Sequence, residues 1–279
     1  MKNTNKKSKK TRVAVSSTAT KKEYKQYQEE LNIKNSKFKN FSKFFLVIMI
    51  ILVAVILIFF SGVFNVKEII VEKNNLVSDE QVISFSGIRY GKNIFSISKK
   101  NIINHLKENS YIGDATVKRI FPDKIKLMID ERNIDFVLQL ANSYVYIDRQ
   151  GYVLEISNNK PNVPMILGFT TDLSNIKPND RLEEKDLIKM NMVIKIMETA
   201  NNHNLENLIT RIDISNEENY TIYLDSNLNK IAYLGNGSDL NTRFLYIKSI
   251  LKEQEGKSGE IFVNVDLNSE YVFFREENI

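Results

Sequence analysis

The chain contains no cysteine and only two histidines among its 279 residues. Without cysteine it can form no disulfide bond, thiol nucleophile or cysteine-based metal site. The compartment stays open on this ground, because many proteins on the outer face of a membrane have no disulfides. The two histidines, His105 and His203, fall in different predicted domains, so they do not indicate a shared metal site or a catalytic dyad.

Several short motifs that carry enzyme chemistry are also missing. There is no Gly-x-Ser-x-Gly, no His-Glu-x-x-His and no Walker loop. Asp130 and Glu131 could form a catalytic acid pair, but their position at a predicted strand end beside Arg132 favours a charge cluster at a domain junction. We therefore expect no catalytic residue, no metal and no cofactor.

What the chain does have is one long hydrophobic run, with 17 consecutive apolar residues at positions 44–60. Extended to residue 64, a helix at about 1.5 Å per residue spans roughly 31 Å, which is close to the thickness of the bilayer hydrocarbon. A buried core helix is the alternative, but such helices keep a polar face. A cleaved signal peptide is disfavoured by the long charged leader and the missing small-x-small pattern. We predict a transmembrane helix over residues 44–64.

Charge is divided unevenly around this run. Residues 1–43 hold thirteen Lys or Arg against three acids, a net charge of +10, and the remainder holds 26 against 31, a net charge of −5. Basic residues beside a span stay in the cytoplasm, which predicts an inner tail and an outer part over residues 65–279. The tail, poor in large apolar residues, is predicted to be disordered apart from a short helix over residues 24–31. Its charge favours anionic lipid over nucleic acid as a partner.

Residues 65–132 predict a small α+β module with the order β-α-α-β-β. A strand precedes two short helices, which are opened by a capping box at Ser78 and by Ser98. Two segments of alternating polarity then flank Pro122 and Asp123, so they form a hairpin with one buried face.

Residues 133–279 predict a second α+β domain around a mostly antiparallel sheet. Short strands alternate with two amphipathic helices, over residues 186–200 and 240–254. A loop framed by prolines is predicted over residues 161–178.

Taken in order, the motifs of the chain resemble those of one family. The span is followed by Phe64-x-Val66-x-x-Ile69-x-Val71, Ser86-Gly87-Ile88-x-x-Gly91-x-Asn93-Ile94-Phe95 and Ala115-x-Val117-x-Arg119-x-Phe121-Pro122-x-x-Ile125-x-Leu127-x-Ile129-x-Glu131-Arg132, and then by Tyr146-Ile147-Asp148-x-x-Gly151-Tyr152-Val153-Leu154 and Val163-Pro164-Met165-Ile166-Leu167-Gly168. This series looks like the POTRA domain and the opening of the second domain of the FtsQ/DivIB bacterial cell-division family. One departure is Asn133-Ile134, since the family often has proline two residues after the Glu-Arg pair.

The resemblance implies the fold class α+β, with an N-terminal single transmembrane helix, a POTRA domain over residues 65–132 and a C-terminal domain over residues 133–279. It implies a non-enzymatic divisome protein at the bacterial plasma membrane, concentrated at the division septum. Its partners are expected to be FtsB/DivIC-like and FtsL-like division proteins, with other divisome components bound through the POTRA domain. Its expected role is to help regulate septal peptidoglycan synthesis.

The candidate binding residues lie in a short aromatic segment at the end of the chain. A terminal strand offers unpaired backbone groups to a partner strand, unless folding back pairs it on both sides. Alternation allows only one of Phe273 and Phe274 to face outward. The resemblance implies that this region receives a segment of FtsB/DivIC. The predicted partner-binding residues are Tyr271, Val272, Phe273, Phe274 and Arg275.

Two rival functions stay open. A membrane-anchored hydrolase or transpeptidase of the cell envelope would need a nucleophile with a positioned base. A POTRA-type export factor would carry a transmembrane β-barrel, which a domain with two amphipathic helices does not suit.

Overall fold

The computed structural model describes residues 19–224, 229–267 and 271–277 of the chain. The chain divides into two units, and the boundary lies between Phe64 and Asn65. The fold class is α+β, as predicted: an N-terminal apolar helix, a POTRA domain and a mostly antiparallel sheet.

The described part of the first unit, residues 19–64, contains one long helix, α1 (Ala19–Phe60). Its segment Phe41–Phe60 is the one stretch of the described residues that is long and apolar enough to cross a membrane, and none of it is buried. A bilayer can surround such a surface at low free-energy cost, because the helix satisfies its backbone internally and exposes apolar side chains. The helix therefore fits a single-pass membrane protein.

Helix α1 begins well before the apolar run. The sequence predicted helix only over residues 24–31 of the basic tail, with disorder elsewhere, but the structure is helical from Ala19 onward. Lys, Glu and Gln are good helix formers, and a helix already nucleated in the apolar run extends without a second nucleation cost. Residues 1–18 of the predicted disordered tail lie outside the described residues.

The POTRA domain holds a three-stranded sheet and two short helices in the predicted order. Strand β3 lies in the middle, parallel to β1 and antiparallel to β2. Ser78 caps the first helix through the predicted capping box, and Gly87 ends it in the left-handed conformation at φ 65°. The elements are β1 (Glu68–Glu72), α2 (Asp79–Ser86), α3 (Lys99–Leu106), β2 (Ile112–Ile120) and β3 (Lys124–Glu131).

Over its described residues, 133–224, 229–267 and 271–277, the second domain forms a nine-stranded sheet with the order β12-β11-β10-β9-β8-β7-β4-β5-β6. Five of the eight strand pairings are antiparallel. The elements are β4 (Phe136–Leu140), β5 (Ser143–Ile147), β6 (Val153–Ser157), β7 (Met165–Leu167), α4 (Glu184–Asn202), β8 (Ile209–Asp213), β9 (Tyr220–Leu224), β10 (Lys230–Gly235), α5 (Leu240–Glu253), β11 (Gly259–Phe262) and β12 (Phe273–Glu276).

Strand β7 is a correction to the loop predicted over residues 161–178. It lies inside the sheet, parallel to both β4 and β8. The strand is only three residues long between Pro164 and Gly168, and Met165 and Ile166 are both buried. A run this short has no alternation of polarity, so its sequence pattern does not distinguish it from a loop.

The main core lies between the sheet and helices α4 and α5. Val193, Ile196, Phe244 and Ile247 from the two helices are fully buried there. A smaller cluster around Val137, Tyr146, Leu154 and Met165 lies apart from this core, and partly buried Tyr111 and Ile134 pack against it. The POTRA domain therefore adjoins the β4–β6 end of the sheet, away from β12.

Candidate partner-binding edge

Strand β12 forms one edge of the nine-stranded sheet. It pairs antiparallel with β11, with Phe273 opposite Phe262 and Glu276 opposite Gly259. Within the described ranges no strand pairs with its other side. The alternative in which the terminal strand folds back and is paired on both sides is therefore not found in this part of the chain.

The backbone of β12 points alternately toward β11 and away from it. The Glu277 N–H donates to the Ser258 carbonyl at 2.9 Å, which fixes the pattern of the ladder. In an antiparallel pair only every second residue exchanges bonds with its neighbour, so Phe273 and Arg275 bond to β11. The N–H and C=O groups of Phe274 and Glu276 point toward the open edge. These groups are the ones that an added strand would use.

The opposite edge of the sheet, strand β6, is covered at its first two residues. The Val153 N–H donates to the Asp180 carbonyl and the Asn179 N–H donates to the Val153 carbonyl, both at 2.8 Å. The Ser110 hydroxyl of the POTRA domain donates to the Leu154 carbonyl at 2.6 Å. Native sheets commonly cover edges in this way to prevent unwanted pairing. The two edges of this sheet are therefore not equivalent, and β12 is the accessible one.

All five predicted partner-binding residues lie in or next to this strand, on two faces. Val272 and Phe274 pack against the main core. Tyr271 is 93% exposed, Phe273 is 49% exposed, and Arg275 is also exposed. The alternation predicted for the two phenylalanines is present, with Phe273 as the outward one. Val272 and Phe274 therefore anchor the strand, and the other three side chains face solvent.

Phe273 ends a row of aromatic rings that crosses three strands. Its ring centroid lies 4.5 Å from that of Phe262 on β11, with the planes at 13°. The Phe262 ring lies in turn 4.9 Å from that of Tyr233 on β10, with the planes at 26°. Offset stacking of this kind contributes about 0.5–1.5 kcal/mol per pair beyond the burial of area. The stacked rings therefore hold β12 against β11 and β10 on the outward face of the sheet.

A polar cluster on the same face ties β12 to its neighbours. The Arg275 guanidinium forms an ion pair with Glu260, and its Nε donates to the Glu260 carboxylate at 2.7 Å. The Tyr233 hydroxyl donates to the same carboxylate at 2.6 Å. This hydrogen bond, together with Arg275, holds the pKa of Glu260 below its usual value. The same bond, with burial, raises the pKa of Tyr233 to about 12.

The sequence did not identify Tyr233, Glu260 or Phe262 as parts of this site. The signal was present locally, since Tyr233 and Phe262 alternate with buried residues in their strands. What sequence reasoning could not supply was their alignment, because β10 and β11 are joined through α5 and pair in parallel.

The charged run before the domain junction has a structural role. The Glu131 carboxylate accepts hydrogen bonds from the backbone N–H groups of Asn75, Leu76 and Val77, at 2.8 to 3.1 Å. Arg132 pairs across the junction with Asp148, at 3.1 Å between Nε and Oδ2. The sequence predicted that Arg132 neutralises Asp130 and Glu131, but in the structure Arg132 pairs with Asp148 and Glu131 accepts backbone hydrogen bonds. Over the described residues no group of three or more His, Asp or Glu side chains could hold a metal ion.

Comparison with known proteins finds relatives that are all named as bacterial cell division proteins of the DivIB or FtsQ type. Residues 64–132 match the family described as POTRA domain, FtsQ-type. The cell division protein DivIB of Clostridium tetani is 28% identical over 232 residues, covering 79% of this chain and 83% of that protein. The DivIB of Clostridium botulinum is 25% identical, covering 77% and 83%. The cell division protein FtsQ of Syntrophotalea carbinolica is 32% identical over 99 residues, covering 36% and 35%.

Proposed function

The chain belongs to the FtsQ/DivIB family, and on that premise we propose that it is a non-enzymatic, single-pass protein of the bacterial divisome. It recruits and scaffolds FtsB/DivIC-like and FtsL-like division proteins and helps to regulate septal peptidoglycan synthesis. The cell-division relatives, which cover most of the chain, and the FtsQ-type POTRA match support this proposal.

The proposal includes a topology and a location. Residues 1–43 lie in the cytoplasm, residues 44–64 cross the plasma membrane, and the POTRA domain (65–132) and C-terminal domain (133–279) lie on the outer face. The net charge of +10 on the tail supports this orientation, because basic residues resist translocation. The protein is concentrated at the division septum, where its division partners assemble.

The binding step is addition of a partner strand to β12. The observation that carries it is the open edge, where Phe274 and Glu276 direct backbone groups away from β11. A segment of the FtsB/DivIC-like partner pairs with these groups and extends the sheet. Main-chain hydrogen bonds then provide affinity, and outward Tyr271 and Phe273 provide apolar contacts beside the added strand. Arg275 lies on the same face, where its ion pair with Glu260 holds β12 beside β11.

The two outer domains bind different partners at the same time. Strand β12 and the POTRA-covered strand β6 end opposite sides of the sheet. Eight strand spacings of about 4.8 Å place these edges about 38 Å apart. A partner at β12 therefore leaves the POTRA domain accessible to other divisome components.

The test separates backbone pairing from side-chain contact at one residue. Glu276→Pro removes an N–H that points to the open edge, without removing a ladder bond to β11. Glu276→Ala is the matched control, since it keeps the N–H and removes the same carboxylate. Binding of the outer segment of the DivIC-like protein is measured on the full chain in nanodiscs. Loss of edge hydrogen bonds is expected to weaken binding about tenfold in the proline variant and much less in the alanine control.

The side chains are tested in the same assay. Tyr271→Glu and Phe273→Glu place charges in the predicted contact and are expected to reduce binding, with unchanged circular dichroism. Binding that survives Glu276→Pro and both glutamate variants would place the interface elsewhere. A wild-type chain that does not bind the partner would contradict the scaffold function.

A further inference from the structure

The chain enters the POTRA domain between two loops. Asn65 forms a β-bridge with Asn93, and the Val66 N–H donates to the Lys92 carbonyl at 2.9 Å. The Lys67 N–H donates to the Asp123 carbonyl, also at 2.9 Å. The first residues after the membrane segment are therefore held directly by the loop before Phe95 and by the turn after β2.

Covalent connection keeps this entry point close to the membrane. Phe60 ends the apolar helix, and residues 61–64 form turns before Asn65. Five residues span at most about 17 Å when fully extended, and turns shorten that distance. The polar headgroup layer is about 5–7 Å thick on each side of the hydrocarbon. The two loops bonded to residues 65–67 are thus within reach of the headgroups.

This end of the domain exposes large apolar side chains. Phe95 and Phe121 are 41% and 56% exposed, and their rings stack at 5.2 Å between centroids. Tyr90 is 58% exposed and Ile120 is 39% exposed. We call these four residues the membrane-proximal tip. Tyr is enriched at the level of the headgroups, and Phe is common on the apolar faces that interfacial protein segments bury in the bilayer.

The charges around the tip suit a lipid surface. Arg89, Lys92 and Lys118 are exposed near the tip. The nearby acid Asp123 is paired with Lys67 at 3.0 Å. Exposed cations beside apolar side chains are attracted to phosphate headgroups, and each contributes about 1 kcal/mol at an anionic surface.

We propose that the membrane-proximal tip rests in the outer-face headgroup layer of the bilayer and inserts Phe95 and Phe121. The surface is a lipid-binding site, separate from the β12 edge, and it does not depend on the proposed binding of division proteins. It holds the POTRA domain against the membrane beyond what the covalent connection alone does.

The absence of cysteine makes a site-specific test simple. Ser96→Cys next to the tip is labelled with bimane in the full chain, reconstituted in vesicles of phosphatidylcholine and phosphatidylglycerol. Ser238→Cys, an exposed serine of the second domain, is the matched control. Lipids with a nitroxide near the headgroup are expected to quench the label at residue 96 several-fold more strongly than the label at residue 238. Equal quenching at the two positions would overturn the proposal.

A second step separates insertion from the effect of the covalent connection. Phe95→Ser with Phe121→Ser, added to the labelled Ser96→Cys chain, is expected to remove most of the quenching, with unchanged circular dichroism. Quenching that is unaffected by the two serines would overturn the proposal, because the connection alone would then explain it. Lys92→Glu provides an independent variant without a loss of apolar surface. It is expected to lower quenching in vesicles with phosphatidylglycerol, and an unchanged value would count against headgroup contact.

Discussion

Asp186 lies fully buried in the first turn of α4 and is surrounded by donors. Its carboxylate accepts hydrogen bonds from the backbone N–H and the hydroxyl of both Thr170 and Thr171, at 2.5 to 3.0 Å. Burial alone would raise the pKa of Asp186, but the bonds from Thr171 and Thr170 outweigh it and hold the pKa below its usual value. This one carboxylate therefore fastens the loop after β7 to the start of α4.

Replacing Asp186 by Asn should cost stability at neutral pH. The amide has only one acceptor oxygen and brings its own donors toward donors, so about 2–3 kcal/mol of unfolding free energy is expected to be lost. Because the folded pKa is lowered, the stabilisation is present above the unfolded pKa of 3.8 and is lost as the pH falls through the folded pKa. The thermal unfolding midpoint of the wild type should therefore decrease as the pH is lowered below about 4, and the midpoint of the variant should lack this part of the pH dependence.

The exposed Asp172 is the control for this prediction. It caps a short turn in the same loop, where its carboxylate accepts a bond from Ser174. Asp172→Asn should change the unfolding midpoint little, because solvent replaces the lost interaction. Equal losses in the two variants would contradict the role given to Asp186.

Attachment of β12 to the sheet depends on a glycine in β11. A Cβ atom at Gly259 would overlap the Arg275 carbonyl oxygen and would lie 2.9 Å from the Phe274 ring. Both contacts are shorter than van der Waals distance, so β12 cannot keep its place beside a larger residue. The close approach of the two strands is what brings Phe273 onto Phe262.

Gly259→Ala is therefore expected to release β12 and leave the rest of the sheet folded. Amide hydrogen exchange of residues 271–277 should become faster, and binding of the DivIC-like segment should weaken with it. Gly256→Ala is the matched control, because it also has positive φ but meets no atom within 4 Å. Its strain costs about 1–2 kcal/mol without displacing β12. Protection of β12 that stays intact in Gly259→Ala would exclude this role for the glycine.

Some elements could be predicted from the sequence and others could not. Helix α5 begins at residue 240, as predicted, and α2 begins at its capping box, because apolar periodicity and capping chemistry decide them locally. The central strand β7 was missed because a run of three apolar residues has no period. Alternation predicted that only one of Phe273 and Phe274 faces outward, and the structure identifies it as Phe273. Its stacking on Phe262 depends on a pairing between distant segments, and no local pattern encodes that.

A buried ion pair joins the POTRA domain to the second domain. The side chains of Arg132 and Asp148 are 13% and 7% exposed, and the Arg132 guanidinium lies 3.9 Å from the centre of the Tyr152 ring. Burial raises the pKa of Asp148 in spite of backbone hydrogen bonds and Arg132. Burial therefore destabilises the ionised carboxylate of Asp148, and the charge of Arg132 offsets part of this cost. We therefore expect the orientation of the POTRA domain on the second domain to depend on this ion pair.

Arg132→Met should loosen the seam, because it leaves a buried carboxylate without its charge partner, at a cost of about 3 kcal/mol. Spin labels at Ser84→Cys and Ser249→Cys, one in each domain, would report a broader distance distribution at pH 7. The raised pKa of Asp148 gives the sign of the pH effect. Protonated Asp148 stabilises the folded state at low pH, and this stabilisation is lost as the pH rises through the pKa of Asp148 in the folded protein. Lowering the pH toward 4 should therefore narrow the distribution again.

Arg149→Met is the matched control for the whole-molecule prediction. Arg149 also pairs with an acid near the junction, Asp135, but its side chain is 60% exposed. Solvent compensates for loss of such a pair, so the distance distribution should stay narrow. Adding Asp148→Asn to Arg132→Met should restore much of the order at pH 7, since the neutral amide needs no charge partner. If Arg132→Met and Arg149→Met broaden the distribution equally, the buried pair does not set the domain orientation.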